Sequence, residues 1–501
     1  MDIIRDAFPF QHMDCVDQIN IDTNDGDLGS MMAYERYTNL IDEAQTPLYS
    51  GCDNTILETI LRAMQLKVES RMSDNSFNKY LQITKAILPR DNKYPSSYKD
   101  VKKVLKNMGL DYETIHACEY GCILYYKENK DLLSCPVCGE ERYTTFGNER
   151  KVPKKTIKYF PLTPRLQRLY MSPDLSRHMR WHAERNVDDP DYIRHPADGK
   201  SWQTFDKEFP KFANEKRNVR LGLATHGFNP FGASGLSHST WPIVLISYKV
   251  PPHVCMKKEL NILCMLILGP KSPGKCLNVF MRPLIEELKM LWEDGVYTFD
   301  RSDGSSFIMK AAVMWTISDF MGLGMLGGLK TKGYKTCPLC LDEIDVVHLT
   351  GRMSYQGHHR WLHSGHDWRK HREALLDTYF YILQLPYWQT FSRPYSLDVM
   401  HIEKNVFDNI ISMILCLEGK TMDDVKARKG LEEQGVRRKL WFKPMGSTSR
   451  RGKEKVTRAP YTVTPSDKVG ILEYIKDAKY PSGYAGTLRS KINVDDKKSL
   501  G

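Results

Sequence analysis

The chain has 501 residues, enough for about two to four domains and a sizeable buried core. At 41% hydrophobic and 27% charged residues it has the composition of a soluble globular protein, which excludes fibrous and low-complexity classes. Against 61 Asp and Glu stand 72 Lys and Arg, a net charge of +11 that points to a polyanionic partner, nucleic acid first.

No apolar run reaches the roughly 18 residues that span a bilayer, so no membrane partner is expected. The longest, "LNILCMLILG" at 260–269, suits a buried strand. The opening "MDIIRDAFPF" lacks the basic start and apolar stretch of a secretory signal. The 12 cysteines fall in clusters, two with CxxC spacing, a pattern that favours metal over disulfides.

Residues 1–110 read as a polar and helical N-terminal region, irregular up to about residue 50. In "NTILETILRAMQLKVESRM", Thr55 and Glu58 fit a capping box, and Ile56, Ile60 and Met64 share a helical face. A second short helix is expected over 98–110, ending at Gly109.

Residues 111–150 carry Cys118-x3-Cys122-x12-Cys135-x2-Cys138. Four thiolates close a tetrahedral shell around Zn²⁺, and two short spacings suit the paired knuckles of a zinc-ribbon-like module. Such an ion stabilises a segment too short for a core of its own. His116 is an alternative ligand. Four reduced structural cysteines are the bland reading.

Residues 151–210 read as a basic linker, where Lys154, Arg165, Arg168, Arg177 and Arg180 interleave with Tyr159, Phe160, Tyr170 and Trp181. Cations neutralise phosphates and aromatic rings stack on bases. A solvated basic connector fits the same composition.

Residues 211–420 have a clearer order. Strands are expected at 218–224, 241–250 and 261–269, then a helix over 276–295 with a stripe of Val279, Leu284, Leu288 and Leu291, then a strand at 306–319. This βββαβ order is that of a ribonuclease-H-like core in an α/β architecture. That fold sets one carboxylate near its first strand and another at its fourth. Asp319 ends the fourth strand, and the first-strand position is the neighbourhood of His226.

Inserted in this core is "CPLC" at 337–340 with downstream histidines, so Cys337, Cys340, His358 and His366 form a second candidate metal set; His359, His363 and His371 compete for the same role. Further acid and base candidates are Asp398, His401 and Glu403 in "LDVMHIE", on a helix expected after residue 398. Residues 421–501 read as a helical and irregular tail with a basic patch at 446–458.

The blocks "IHACEYGCILYYKE", "CPVCGEERY", "KYFPLTPRLQRLY", "MRWHAE", "HPADGKSW", "RNVRLGLATHGFNPFG", "LGPKSPG", "TISDF", "KTCPLC" and "SLDVMHIEKNVFDNI" together resemble the large transposase of plant CACTA-type (En/Spm-like) DNA transposons. The resemblance covers roughly 90–420. It implies cut-and-paste DNA transposition by a DDE/D mechanism, with Mg²⁺ or Mn²⁺ as catalytic cofactor, transposon ends as the DNA partner, and the nucleus as the compartment. It also implies a homo-oligomer or a second transposon-encoded protein as partner. In that family the first-acid block typically reads "DGFNPFG"; here it reads "THGFNPFG", so His226 stands where the first metal-binding Asp is expected. Imidazole is a poor Mg²⁺ ligand, and the exchange removes a negative charge from a site that must hold dications. The resemblance therefore implies a truncated, catalytically impaired copy, with Asp319 as second acid and, as third, either Glu403 after the Asp398-x2-His401 signature or an acid in a C-terminal portion that the copy lacks. A non-catalytic zinc-containing nucleic-acid- or partner-binding protein is the alternative.

Overall fold

The computed structural model describes residues 46–107, 111–146, 150–185, 192–231, 237–255, 257–327, 347–349, 352–354, 384–390, 395–415, 423–441 and 459–477. The chain divides into two compact units, residues 1–339 with 372–396, and residues 340–371 with 397–501.

The first unit opens with helices Ile56–Glu69, Asp74–Ile87 and Tyr98–Asn107. Thr55 caps the first, its side chain accepting from the Glu58 amide at 3.2 Å, as the sequence predicts. Ile60, Ala63, Phe77, Leu81, Tyr94 and Val101 form a small core of their own.

The strands follow in chain order. They are β1 (Glu113–Ala117), β2 (Leu124–Tyr125), β3 (Tyr143–Phe146), β4 (Arg150–Pro153) and β5 (Lys155–Tyr159), then β6 (Val219–Thr225), β7 (Trp241–Ser247) and β8 (Asn261–Ile267). After these come β9 (Val296–Asp300), β10 (Ser305–Met309), β11 (Ala311–Ser318), β12 (Val347–Leu349), β13 (Arg352–Ser354) and β14 (Tyr395–Leu397). One mixed sheet has the order β14-β11-β6-β7-β8-β5-β1-β2. Within it β11 runs parallel to β6, and the pairs β6–β7, β7–β8, β8–β5, β5–β1 and β1–β2 are antiparallel.

Helix Arg282–Glu293 carries Pro283 in its first turn and buries Leu284, Ile285, Leu288 and Leu291 in the main core. The expected single helix over 276–295 is two pieces, Leu277–Phe280 and Arg282–Glu293, because Pro283 restarts it. The expected strand at 306–319 is also two, β10 and β11, parted at Lys310. The Lys310 amide donates to Asn218 Oδ1 at 2.8 Å, which pins the chain where it leaves the β9–β10 hairpin and joins the sheet.

The second unit contains the β12–β13 hairpin and helices Val399–Ile414, Val425–Glu433 and Pro465–Asp477. Arg428 is buried there and forks onto Asp423 with two 2.8 Å hydrogen bonds; Asp423 also accepts from the Tyr461 hydroxyl at 2.9 Å. Among the described residues, no helix is long and apolar enough to cross a membrane.

Candidate functional site

All of β6 but Ala224 is buried, and its parallel pairing with β11 sets Ala224 opposite Ile317. The two strands therefore end side by side. The next residues are His226 and Asp319, whose Nδ1 and Oδ2 atoms lie 3.6 Å apart. His226 is 50% exposed and Asp319 14%. Asp319 also caps helix Phe320–Leu326, its Oδ1 accepting from the Gly322 amide at 2.6 Å. One carboxylate oxygen is thus committed to the helix end and the other faces the imidazole.

The chain beyond His226 is held tightly. A Cβ at Gly227 would lie 2.6 Å from the Trp241 ring nitrogen, so the backbone crosses the indole directly. Trp241 in turn donates to Ser239 Oγ at 2.8 Å. This glycine–tryptophan contact was not legible in the sequence, because the two residues meet only through the β6–β7 pairing.

The donor set here does not fit a pair of Mg²⁺ or Mn²⁺ ions. Hard dications take oxygen ligands, and this pair offers one imidazole and one carboxylate, of which one oxygen already caps a helix. Among the described residues of this unit, no third His, Cys, Asp or Glu completes a metal-holding group with them.

Asp398, His401 and Glu403 are in the second unit, near the start of its stretch from Leu397 onward. Asp398 caps helix Val399–Ile414, its Oδ1 accepting from the His401 amide at 3.1 Å. Glu403 is exposed on that helix.

Cys118, Cys122, Cys135 and Cys138 do converge, with all four sulfurs within 4.8 Å of one another. Tetrahedral zinc with Zn–S bonds of about 2.3 Å holds its thiolates about 3.8 Å apart, so the four could hold a zinc ion. Backbone turns shape both knuckles: the Gly121 amide donates to the Cys118 carbonyl at 2.9 Å and the Gly139 amide to the Cys135 carbonyl at 2.8 Å. His116 is turned to other work, its Nδ1 accepting from Arg142 Nε at 3.0 Å. The segment is not a free-standing module, because β1 and β2 belong to the large sheet and Ile115, Ala117 and Leu124 to its core. Cys337, Cys340, His358 and His366, their rivals His359, His363 and His371, and the basic patch at 446–458 lie outside the described residues.

The stretch read as a basic linker is instead folded into the first unit. Ile157 and Tyr159 of β5 are buried with the half-buried Lys158 between them and Lys155 at the strand's start, a period-two strand concealed by basic composition. Most of its cations have partners inside the protein. Lys154 pairs with Glu140, Arg180 with Asp303 at 2.8 Å, and Arg165 donates to the Pro161 and Asp111 carbonyls at 2.6 and 3.2 Å. Tyr170 is fully buried, donating to the Arg217 carbonyl.

Two further cations of the first unit are buried, with no mark in the sequence to show it. Arg220 lies between the rings of Trp202 and Phe212, 4.8 and 5.1 Å from their centroids, and pairs with Asp206. Lys249 is fully buried, donates to the Lys216 and Asn218 carbonyls, and is pushed well below the usual lysine range by burial. Both brace the start of β6, and neither reaches solvent.

No curated protein matches the chain. Over residues 190–378, a stretch that includes both His226 and Asp319, the chain is similar to the Transposase family tnp2.

Proposed function

We propose that this is a transposase-derived, DNA-binding protein whose phosphodiester-cleaving chemistry is impaired at position 226. The observation that carries the reading is the 3.6 Å approach of His226 to Asp319 at the paired ends of two parallel strands, within the family-matched stretch. The order β14-β11-β6-β7-β8, with β11 parallel to β6 and helix Arg282–Glu293 between β8 and β11, supports a ribonuclease-H-like core. In such a core these strand ends seat the first two acids of a DDE/D site. With histidine in the first place, the pair lacks the charge to hold hard dications.

The reading extends to a CACTA-type ancestry, a structural zinc ion at the four cysteines, and a nuclear setting. The test pairs two assays on the full chain. Electrophoretic binding to duplex DNA is expected to weaken steeply with salt. Nicking of a supercoiled plasmid is expected to be absent with either Mg²⁺ or Mn²⁺. Failure to bind DNA at low salt overturns the DNA-binding reading, and nicking by the protein as it stands overturns the impairment.

A second reading, a zinc-containing partner-binding protein, is favoured by the exposed Tyr120, Leu133 and Val137 around the cysteine knuckles. It predicts DNA binding no tighter than that of any protein of like charge.

A further inference from the structure

Two loops flank the His226–Asp319 pair, and both present nucleic-acid-binding chemistry that the proposed mechanism leaves unused. Residues 226–231 read His-Gly-Phe-Asn-Pro-Phe, and residues 268–275 read Leu-Gly-Pro-Lys-Ser-Pro-Gly-Lys. Phe228 is 48% exposed and Phe231 50%. Loose packing does not account for that exposure. Phe228 and Thr240 exchange reciprocal backbone hydrogen bonds of 2.9 and 2.8 Å, and the Phe231 amide donates to Asn229 Oδ1 at 3.0 Å. The backbone is fixed, and the rings project from it.

The second loop is seated against His238 and Ser239, and through His238 it is joined to Phe231 of the first. The Ser239 amide donates to the Pro270 carbonyl at 2.9 Å. A Cβ at Gly269 would lie 2.6 Å from the Ser239 carbonyl and 2.8 Å from the His238 ring, so only glycine permits the approach. His238 meets Phe231 edge to face, with centroids 5.3 Å apart. Farther along, Ser272 Oγ lies 3.6 Å from the Met325 sulfur, on the helix that Asp319 caps. Lys271 and Lys275 are exposed, and neither loop carries an acidic residue. The result is one ledge with two aromatic faces and two exposed lysines, running beside the strand ends.

We propose that this ledge binds a single DNA strand with unpaired bases, Phe228 and Phe231 stacking on nucleobases and Lys271 and Lys275 taking the phosphates between them. The inference rests on the DNA-binding reading above and deepens it by naming the form of the DNA. Duplex bases are stacked on one another and offer no free face; phenylalanine rings need splayed bases. Phenylalanine carries no hydrogen-bonding group, so the ledge accepts any base sequence.

The test uses the full chain and a 2-aminopurine-labelled single-stranded oligonucleotide. Binding is expected to quench the label, and Phe228→Ala and Phe231→Ala each to weaken binding about tenfold and relieve the quenching. Phe231→Trp is expected to retain affinity and to show quenching of its own new fluorescence. Lys271→Gln with Lys275→Gln is expected to reduce the slope of log K against log salt by about 1.4, at about 0.7 per phosphate contact on a single strand. Both rings are half exposed, and folding is checked by matching circular dichroism. Alanine variants that bind and quench like the parent overturn the proposal, as does an unchanged salt slope. Salt-sensitive duplex binding without tighter single-strand binding overturns the ledge alone. Absence of all DNA binding overturns the function on which it rests.

Discussion

Gly121 lies directly against Cys276, so that a Cβ on the glycine would come within 2.8 Å of the cysteine sulfur. Cys276 also donates from its thiol to the Tyr120 carbonyl at 3.2 Å. The first cysteine knuckle is thereby pressed onto the residue that precedes helix Leu277–Phe280. Gly121 further adopts φ +74, a conformation that costs other residues strain. Gly121→Ala is therefore expected to lower zinc affinity about 10- to 100-fold, the scale of outer-shell effects on metal sites. Competition with a chromogenic zinc chelator measures it; an unchanged affinity would show that the knuckle is indifferent to this contact.

His226→Asp sets a second carboxylate opposite Asp319. Two anions at one strand end attract a dication more strongly than an imidazole and one carboxylate, though half-exposure of position 226 screens the gain. Mn²⁺ binding by calorimetry is expected to tighten about tenfold. Equal affinity in the two proteins would rule out position 226 as a metal seat. Nicking is expected to return only where a third acid completes the set.

Glu287 ties helix Arg282–Glu293 to the segment after β5. Its carboxylate accepts from the Leu162 and Thr163 amides, each at 2.8 Å, and from the Tyr159 hydroxyl. Charged acceptors of this kind are worth more than neutral ones, so Glu287→Ala is expected to cost about 2–3 kcal/mol. Urea unfolding followed by tryptophan fluorescence reads this directly. A loss below about 0.5 kcal/mol would mean that water replaces the carboxylate freely.

Acid should destabilise the first unit through two histidines. Burial, and then the nearby Arg185, lower the His195 pKa to about 4; its Nδ1 accepts from the Ala197 amide at 3.1 Å and must be unprotonated to do so. His182 is pushed down further, by burial and then by Lys249 and Arg220. Both folded values lie below the unfolded value near 6.5, so the unfolded state binds more protons in between. Stability is whole above pH 6.5 and falls toward pH 4, by about 1.4 kcal/mol per pH unit for each histidine. Melting temperatures across that range give the slope, and His195→Gln is expected to flatten it. An identical slope in the variant would assign the acid response to other groups.

Legibility in the sequence varied with the physical signal. Alternation and apolar runs marked β6, β7 and β8, and the leucine stripe marked helix Arg282–Glu293. Strand β9 went unmarked, and β10 merged with β11, because the apolar pattern continues across Lys310 without a glycine or proline. Strand β5 hid behind its lysines: Lys158 reaches Thr114 Oγ1 at 2.7 Å, and Lys155 lies 4.7 Å over the Phe280 ring, so both stems lie along the fold. The four cysteines were readable because metal spacing is local. The nearness of His226 and Asp319 follows in the sequence only from reading the βββαβ order as a ribonuclease-H-like core, a non-local relation that composition does not encode. The burial of Arg220 and Lys249 left no sequence trace, since a cation inside and one outside are written alike.

Strand β5 covers the edge of β8, with Ile157 opposite Ile267 and Tyr159 opposite Met265. The family-matched stretch begins at residue 190, downstream of β1, β2 and β5. A fragment cut at that boundary would bare the β8 edge at Met265, Leu266 and Ile267, a template for pairing with other chains and for aggregation. Homology and folding thus draw different borders in this protein: a piece that keeps every strand of the sheet must reach back to Glu113 and carry the cysteine knuckles with it.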